Sequence, residues 1–264
     1  MSHTPPIFIK HGKNSSALFT LNNPTTLVIF VHGFNGSATA TWDDFPRLIR
    51  TTNDFAHADV IFYGYESLKG QANNNAIKFY SLLKAACENN PNKLGFERKE
   101  IGDDHSYKKI LIIAHSLGAV IVRRALLNAK SENKIWLDKC KMILFAPAHR
   151  GARIPDLILE SLPKIVRVLA GLGMIAIPII NDLRPNSQTI LNLIADSEKL
   201  LEKNEGDFTI ASHVIWANNE KVVHNQRFCV DPVATLIDNK SHVAVCKPNQ
   251  KKYADPYSIV LKAL

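Results

Sequence analysis

The segment from Lys109 to Leu126, KILIIAHSLGAVIVRRAL, puts one serine at the junction of two apolar runs that need different backbones. Ile110-Leu111-Ile112-Ile113 is short, largely β-branched and uncharged, the composition of a strand buried on both faces. From Leu117 to Leu127 the apolar residues recur at helical spacing, with Arg123 and Arg124 expected to reach solvent. The chain must therefore pass from strand to helix within Ala114-His115-Ser116-Leu117-Gly118. So tight a reversal needs small neighbours, and Ala114 and Gly118 stand two residues either side of Ser116. This small-x-Ser-x-Gly arrangement is the pattern of a nucleophile elbow, which presents a serine hydroxyl at the carboxyl end of a strand. The N–H of Leu117 falls at the helix N-terminus, without an acceptor in its own helix, and faces any negative charge formed at Ser116.

The elbow sits within a longer alternation. Ile7–Ile9 and Ala17–Leu21, separated by Gly12-Lys13-Asn14-Ser15-Ser16, read as an opening antiparallel hairpin. Thr26–Val31 reads as a buried strand running into His32-Gly33-Phe34, followed by a helix near Asp44–Arg50. Ala58–Tyr63 is a further strand, Asn74–Glu88 a helix, and Met142–Ala146 the strand after the elbow unit. Strands alternating with helices predict an α/β fold: a mostly parallel central sheet covered by helices on both faces, with chemistry at the carboxyl ends of the strands. Between Pro155 and Lys203 the strand signal gives way to helical segments around Pro163, Gly171, Gly173 and Pro178, and Ser212–Ala217 then resumes the sheet. The expectation is one domain over residues 1–264, with a helical cap inserted at about 155–205. Its most apolar part, Val168–Ile180, carries no charge but is too short to span a bilayer. It reads as a helix packed on the body, or as an apolar lid over an acyl pocket that touches lipid.

Composition narrows the possible partners. At 264 residues and 46% hydrophobic, the chain can bury a large core. The net charge of +8 is spread among scattered Lys and Arg, with no basic stripe interleaved with aromatics, so no nucleic acid is expected. Cys87, Cys140, Cys229 and Cys246 are too far apart for a metal-type pair, so no metal or other cofactor is expected, and they suit buried thiols in a reducing compartment. The first residues, MSHTPPIFIK, lack the charged and apolar regions of a secretory leader. The cytoplasm is the expected location, with peripheral membrane contact through the cap as a variant of it.

A serine hydroxyl is a poor nucleophile until an imidazole takes its proton and a carboxylate orients that imidazole. In elbow-type hydrolases the chain order is Ser, then Asp or Glu, then His. Downstream of Ser116 lie His149, His213, His224 and His242. His149 precedes the cap with no acid after a late strand before it, and His213 begins a strand. Between His224 and His242, the latter fits the base better, because it leaves the last expected strand, Val233–Ile237. Glu220, just past the strand ending near Ala217, is the favoured acid; Asp231 and Asp238 remain alternatives. Gly33 permits close backbone approach, which makes the N–H of Phe34 the natural second oxyanion donor beside that of Leu117. His32 reads as a brace for that loop.

Four stretches carry a likeness: VIFVHGFNGSATATW at Val28–Trp42, LIIAHSLGAVIVRRAL at Leu111–Leu126, FAPAHRGAR at Phe145–Arg153 and KSHVAVCKP at Lys240–Pro248. With Leu183–Leu193, they resemble the α/β-hydrolase superfamily, and more narrowly its lipase-like serine esterases, including the GPI inositol-deacylase-like and serine-active-site-containing groups. The resemblance implies Ser116 as nucleophile, Glu220 as acid, His242 as base, and Phe34 with Leu117 as oxyanion donors. Two positions depart from it: Ala114 replaces the usual first glycine of the elbow, and the acid is Glu where Asp is commoner. The implied activity is hydrolysis of a lipid or other hydrophobic acyl ester through an acyl-serine. A hydrolase-fold binding or regulatory module without turnover is the alternative.

Overall fold

The computed structural model describes residues 2–88, 94, 101–102, 105–171, 177–202, 210–249 and 251–264. Its framework is one sheet of eight strands in the order β1-β2-β4-β3-β5-β6-β7-β8. The opening hairpin, β1 (Ile7–Phe8) and β2 (Ser16–Leu18), is antiparallel, and β2 also runs antiparallel to β4 (Ala58–Tyr63). The other neighbours are all parallel: β4 with β3 (Thr26–Val31), β3 with β5 (Lys109–His115), then β6 (Cys140–Phe145), β7 (Ala211–Ala217) and β8 (Thr235–Ile237). Leu27–Val31 and Leu111–Ala114 are fully buried, as the unbroken apolar runs of strands covered on both faces require.

Helices complete the two layers. Phe30 packs against Trp42, against Phe62, and against Phe45 of α1 (Phe45–Thr51); Phe45 in turn meets Tyr257 of α8 (Asp255–Lys262). These two helices cover one face. The other face carries α2 (Ala72–Glu88), α3 (Leu117–Ser131) and α7 (Gln188–Glu202), with α3 packed between the other two. Between β6 and β7 the chain forms α4 (Ile154–Ser161), α5 (Lys164–Gly171), α6 (Ile179–Leu183) and α7. A helical insertion is expected from the sequence at about 155–205, of which positions 172–176 and 203–205, including Gly173, lie outside the described residues.

Two sequence expectations need correction. Arg123 does not reach solvent: it is 5% exposed, ion-paired with Asp231 and stacked over Phe228 with its guanidinium carbon 4.3 Å from the ring centroid. Helical periodicity gave it an outer face, but the 228–231 segment folds over that part of α3. The last strand is also shorter than Val233–Ile237. Only Thr235–Ile237 pairs, on one side, and Val233 is 86% exposed, as an edge position permits.

Candidate active site

Ser116 adopts φ 51° and ψ −119°, a backbone conformation that costs a non-glycine residue on the order of 1–3 kcal/mol unless its surroundings hold it. They do hold it here. Its N–H donates to the Phe145 carbonyl at 3.0 Å, and its own carbonyl accepts from Ala119 and Ala148, each at 3.1 Å. β6 and the first turn of α3 thus clamp the reversal from both sides. The helix crosses so close to β3 that a Cβ on Gly118 would lie 2.4 Å from the Val31 carbonyl oxygen, so glycine is required at that position.

The loop leaving β3 lies directly over the elbow. A Cβ on Gly33 would stand 2.9 Å from the Ser116 Cβ, which is why this loop also needs glycine. His32 holds it: Nδ1–H donates to the Gly33 carbonyl at 2.8 Å, while Nε2 accepts from the Tyr65 N–H at 3.3 Å. Its ring stacks on Tyr65 at 4.3 Å between centroids, and burial lowers its pKa to about 4. His32 is therefore neutral and structural, the brace read from the sequence. Gly33 to Gly36 closes a turn through the Gly36 N–H and the Gly33 carbonyl at 3.1 Å. The N–H groups of Phe34 and Leu117 have no acceptor among the described residues, although both residues are buried.

Ser116, His242 and Glu220 come together from three separate loops. Ser116 Oγ lies 2.9 Å from His242 Nε2, and His242 Nδ1 lies 3.1 Å from Glu220 Oε2. The side chains of His242 and Glu220 are each 1% exposed. The other carboxylate oxygen of Glu220 accepts from the N–H groups of Val222 at 2.8 Å and Val223 at 3.3 Å. Burial by itself would raise the Glu220 pKa; the hydrogen bond and charge interaction with His242, together with those two N–H donors, outweigh it and hold the carboxyl below its usual 4.5. The longer side chain is accommodated by its turn, fixed where Glu220 N–H donates to the Ala217 carbonyl and Arg153 N–H to the Val222 carbonyl.

The alternative acids lie elsewhere. Asp231 pairs with Arg123, and Asp238 is exposed on the Asn218 amide. His149 is buried against Phe228 and Trp216, its Nε2–H directed at the Gln226 carbonyl, and His213 is on β7. His224 follows the Glu220 turn, half-buried.

Three residues around the site had not been singled out. His115 Nε2–H donates to the His242 carbonyl at 2.9 Å, and burial drives its pKa well below 6.5. Asn35 Nδ2–H donates to the Ser161 carbonyl at 2.5 Å, tying the end of α4 to the loop that holds Phe34. Glu160, beside Ser161, lines a cleft of about 320 Å³ together with the Gly33–Ser37 loop, His115, Val243 and Lys247. The position of His115 inside the elbow motif was a signal for its contact. Nothing in sequence spacing links residue 35 to 161 or residue 160 to 243.

Similar proteins place this architecture. The esterase of Pyrobaculum calidifontis is similar in structure over 98% of this chain and 82% of its own, with a TM-score of 0.58 at 14% identity. The Pyrococcus furiosus esterase Pf2001 gives 0.55 at 16% identity over 98% and 89% of the two chains, and the mature Bacillus licheniformis lipase BlEst2 0.54 at 14% over 94% and 97%. At such identities the likeness is one of fold, and the fold is that of an α/β-hydrolase. Residues 21–148, which span β3 through the elbow to β6, match the family model described as "Putative serine esterase (DUF676)". The matched region, just under half of the chain, includes Ser116, and over it the chain is similar to serine esterases. Among curated proteins none matches it in sequence.

Proposed function

We propose that the chain is a lipase-like serine esterase that hydrolyses a carboxylic ester through an acyl-serine intermediate, with Ser116 as nucleophile, His242 as base and Glu220 as orienting acid. The observation that supports this most directly is the continuous hydrogen-bonded line from Ser116 Oγ through both ring nitrogens of His242 to Glu220. His242 Nε2 takes the hydroxyl proton as Oγ attacks the ester carbonyl. The oxyanion that forms is held by the N–H groups of Phe34 and Leu117. His242 then returns the proton to the leaving alcohol, and water, activated by the same imidazole, releases the acid and restores Ser116. These steps need no metal and no cofactor.

The substrate we infer is a lipid or other ester with a hydrophobic acyl group. We read the helices between β6 and β7 as a cap of about 155–205 on a single domain of 1–264. Leu159 and Val168 on α4 and α5 are 61% and 53% exposed, an apolar surface suited to an acyl chain or to peripheral membrane contact. No helix among the described residues is long and apolar enough to cross a membrane. All four cysteines are free, which supports a reducing, cytoplasmic setting.

The test is labelling with a fluorophosphonate probe, followed by hydrolysis of esters of graded acyl length, in wild type and Ser116→Ala. Labelling and turnover confined to the wild type are expected. Equal labelling of both proteins would refute the assignment of Ser116.

A further inference from the structure

Glu160 is a carboxylate in the cleft beside the elbow for which the triad has no use. Its Oε2 is buried and has no hydrogen-bond partner among the described residues, nor does any described cation form an ion pair with it. The Asn35–Ser161 hydrogen bond fixes the end of α4 against the oxyanion loop, so Glu160 is held at the cleft rather than carried on a loose segment. His242, Glu220, Asp156 and Lys221 are all close enough to act on it electrostatically, although burial is the larger influence and raises its pKa. Glu160 is only half-buried and lines the cleft, and a carboxylate with one oxygen withdrawn from water without a donor is unfavourable, so a donor brought to the carboxylate by a ligand in the cleft relieves it.

The chemistry of the triad says which half of the substrate lies here. His242 must return its proton to the leaving oxygen, so the alcohol half of the ester occupies the side of the base. Val243, next to His242, lines this cleft. Lys247 lines it as well and disfavours a second cation, which leaves a neutral hydroxyl as the fitting donor. Resting on the esterase mechanism above, we propose that Glu160 is a specificity-determining residue that accepts a hydrogen bond from a hydroxyl on the leaving alcohol. The preferred substrates are then carboxylic esters of hydroxylated alcohols rather than of plain alkyl alcohols.

The experiment compares kcat/KM for 2-hydroxyethyl butyrate and propyl butyrate in wild type, Glu160→Gln and Glu160→Leu, with fluorophosphonate labelling of Ser116 measured alongside. The ratio of the two esters cancels any general loss of catalysis. In wild type it should exceed the Glu160→Leu ratio by about tenfold, with Glu160→Gln between them because it keeps an acceptor but loses the charge. Equal ratios in all three proteins, with labelling intact, overturn the role of Glu160 and leave the esterase mechanism standing. Absence of labelling in the wild type overturns that mechanism, and this inference with it. If Glu160→Leu does not fold, Glu160→Gln decides: a lower ratio than wild type supports the proposal and an equal one overturns it.

Discussion

His115 donates its Nε2–H to the backbone carbonyl of His242 at 2.9 Å, with the two rings 4.9 Å apart. The residue before the elbow serine thus fixes the loop that carries the proposed base, while its Nδ1 side closes against Gly33 below the loop that carries the proposed oxyanion donor Phe34. Both sides of the proposed reacting centre are referred to one buried, neutral imidazole. His115→Ala should lower kcat by about 10–100-fold with little change in KM, since displacements of about 1 Å at a reacting group cost rates of that order. His115→Gln, which keeps a donor, should recover part of the loss. Steady-state kinetics on a soluble ester with all three proteins checks this; an unchanged kcat in His115→Ala would remove the positioning role.

Glu220 has one oxygen on His242 and the other on two backbone N–H groups. Glu220→Gln should keep the turn folded but present an amide to Nδ1, favouring the wrong tautomer. By analogy with the loss of an orienting carboxylate in serine hydrolases, kcat should fall by about 10⁴-fold. Asp238→Ala should leave turnover near wild type. Comparable losses in both variants would contradict the assignment of the acid.

Acid should weaken the fold before it protonates the carboxylates. His32, His115 and His149 are held neutral by burial, with His32 lowered from 6.5 to about 4 and the other two well below 6.5. Each binds a proton in the unfolded chain at a pH where the folded chain refuses it. The stability they permit is therefore complete above pH 6.5 and is lost as pH falls toward 4, by an upper bound of about 3 kcal/mol for His32 alone. Glu220, whose carboxyl lies below its usual value, works in a lower window: its contribution is present above 4.5 and is lost only as pH falls through its folded pKa. Denaturant unfolding measured between pH 7 and 4 should show stability declining throughout, with a shallower slope in His32→Gln.

The Arg123–Asp231 pair joins α3 to the 228–231 segment, with side chains 6% and 2% exposed. Removing one partner leaves the other charge buried and uncompensated. Asp231→Ala should destabilise by about 3–5 kcal/mol, whereas the exposed Asp238→Ala should stay within about 0.5 kcal/mol. Urea midpoints of the two variants separate these outcomes, and a small effect of Asp231→Ala would mean that Arg123 finds water or another acceptor.

Local pattern alone was enough for much of the molecule. Unbroken β-branched runs located β3, β4, β5 and β6, and the change of period at Ser116 located the elbow, because strand and helix impose their spacings on neighbouring residues. Chain order then singled out Glu220 and His242, since a parallel sheet returns each late loop to the same edge. Tertiary structure decided what periodicity cannot encode. Arg123 looks solvent-facing until a segment about a hundred residues later folds over it. The three acids that competed in sequence separated only when their partners were in place: His242 for Glu220, Arg123 for Asp231 and Asn218 for Asp238. Likewise Asn35 with Ser161, and Glu160 in the cleft, meet because the helical insertion crosses the mouth of the sheet. The sequence by itself determined the strands, the elbow and the kinds of side chain available. Which of those side chains touch, and which are withdrawn from water, depended on packing between residues far apart in the chain, where no local spacing constrains distance.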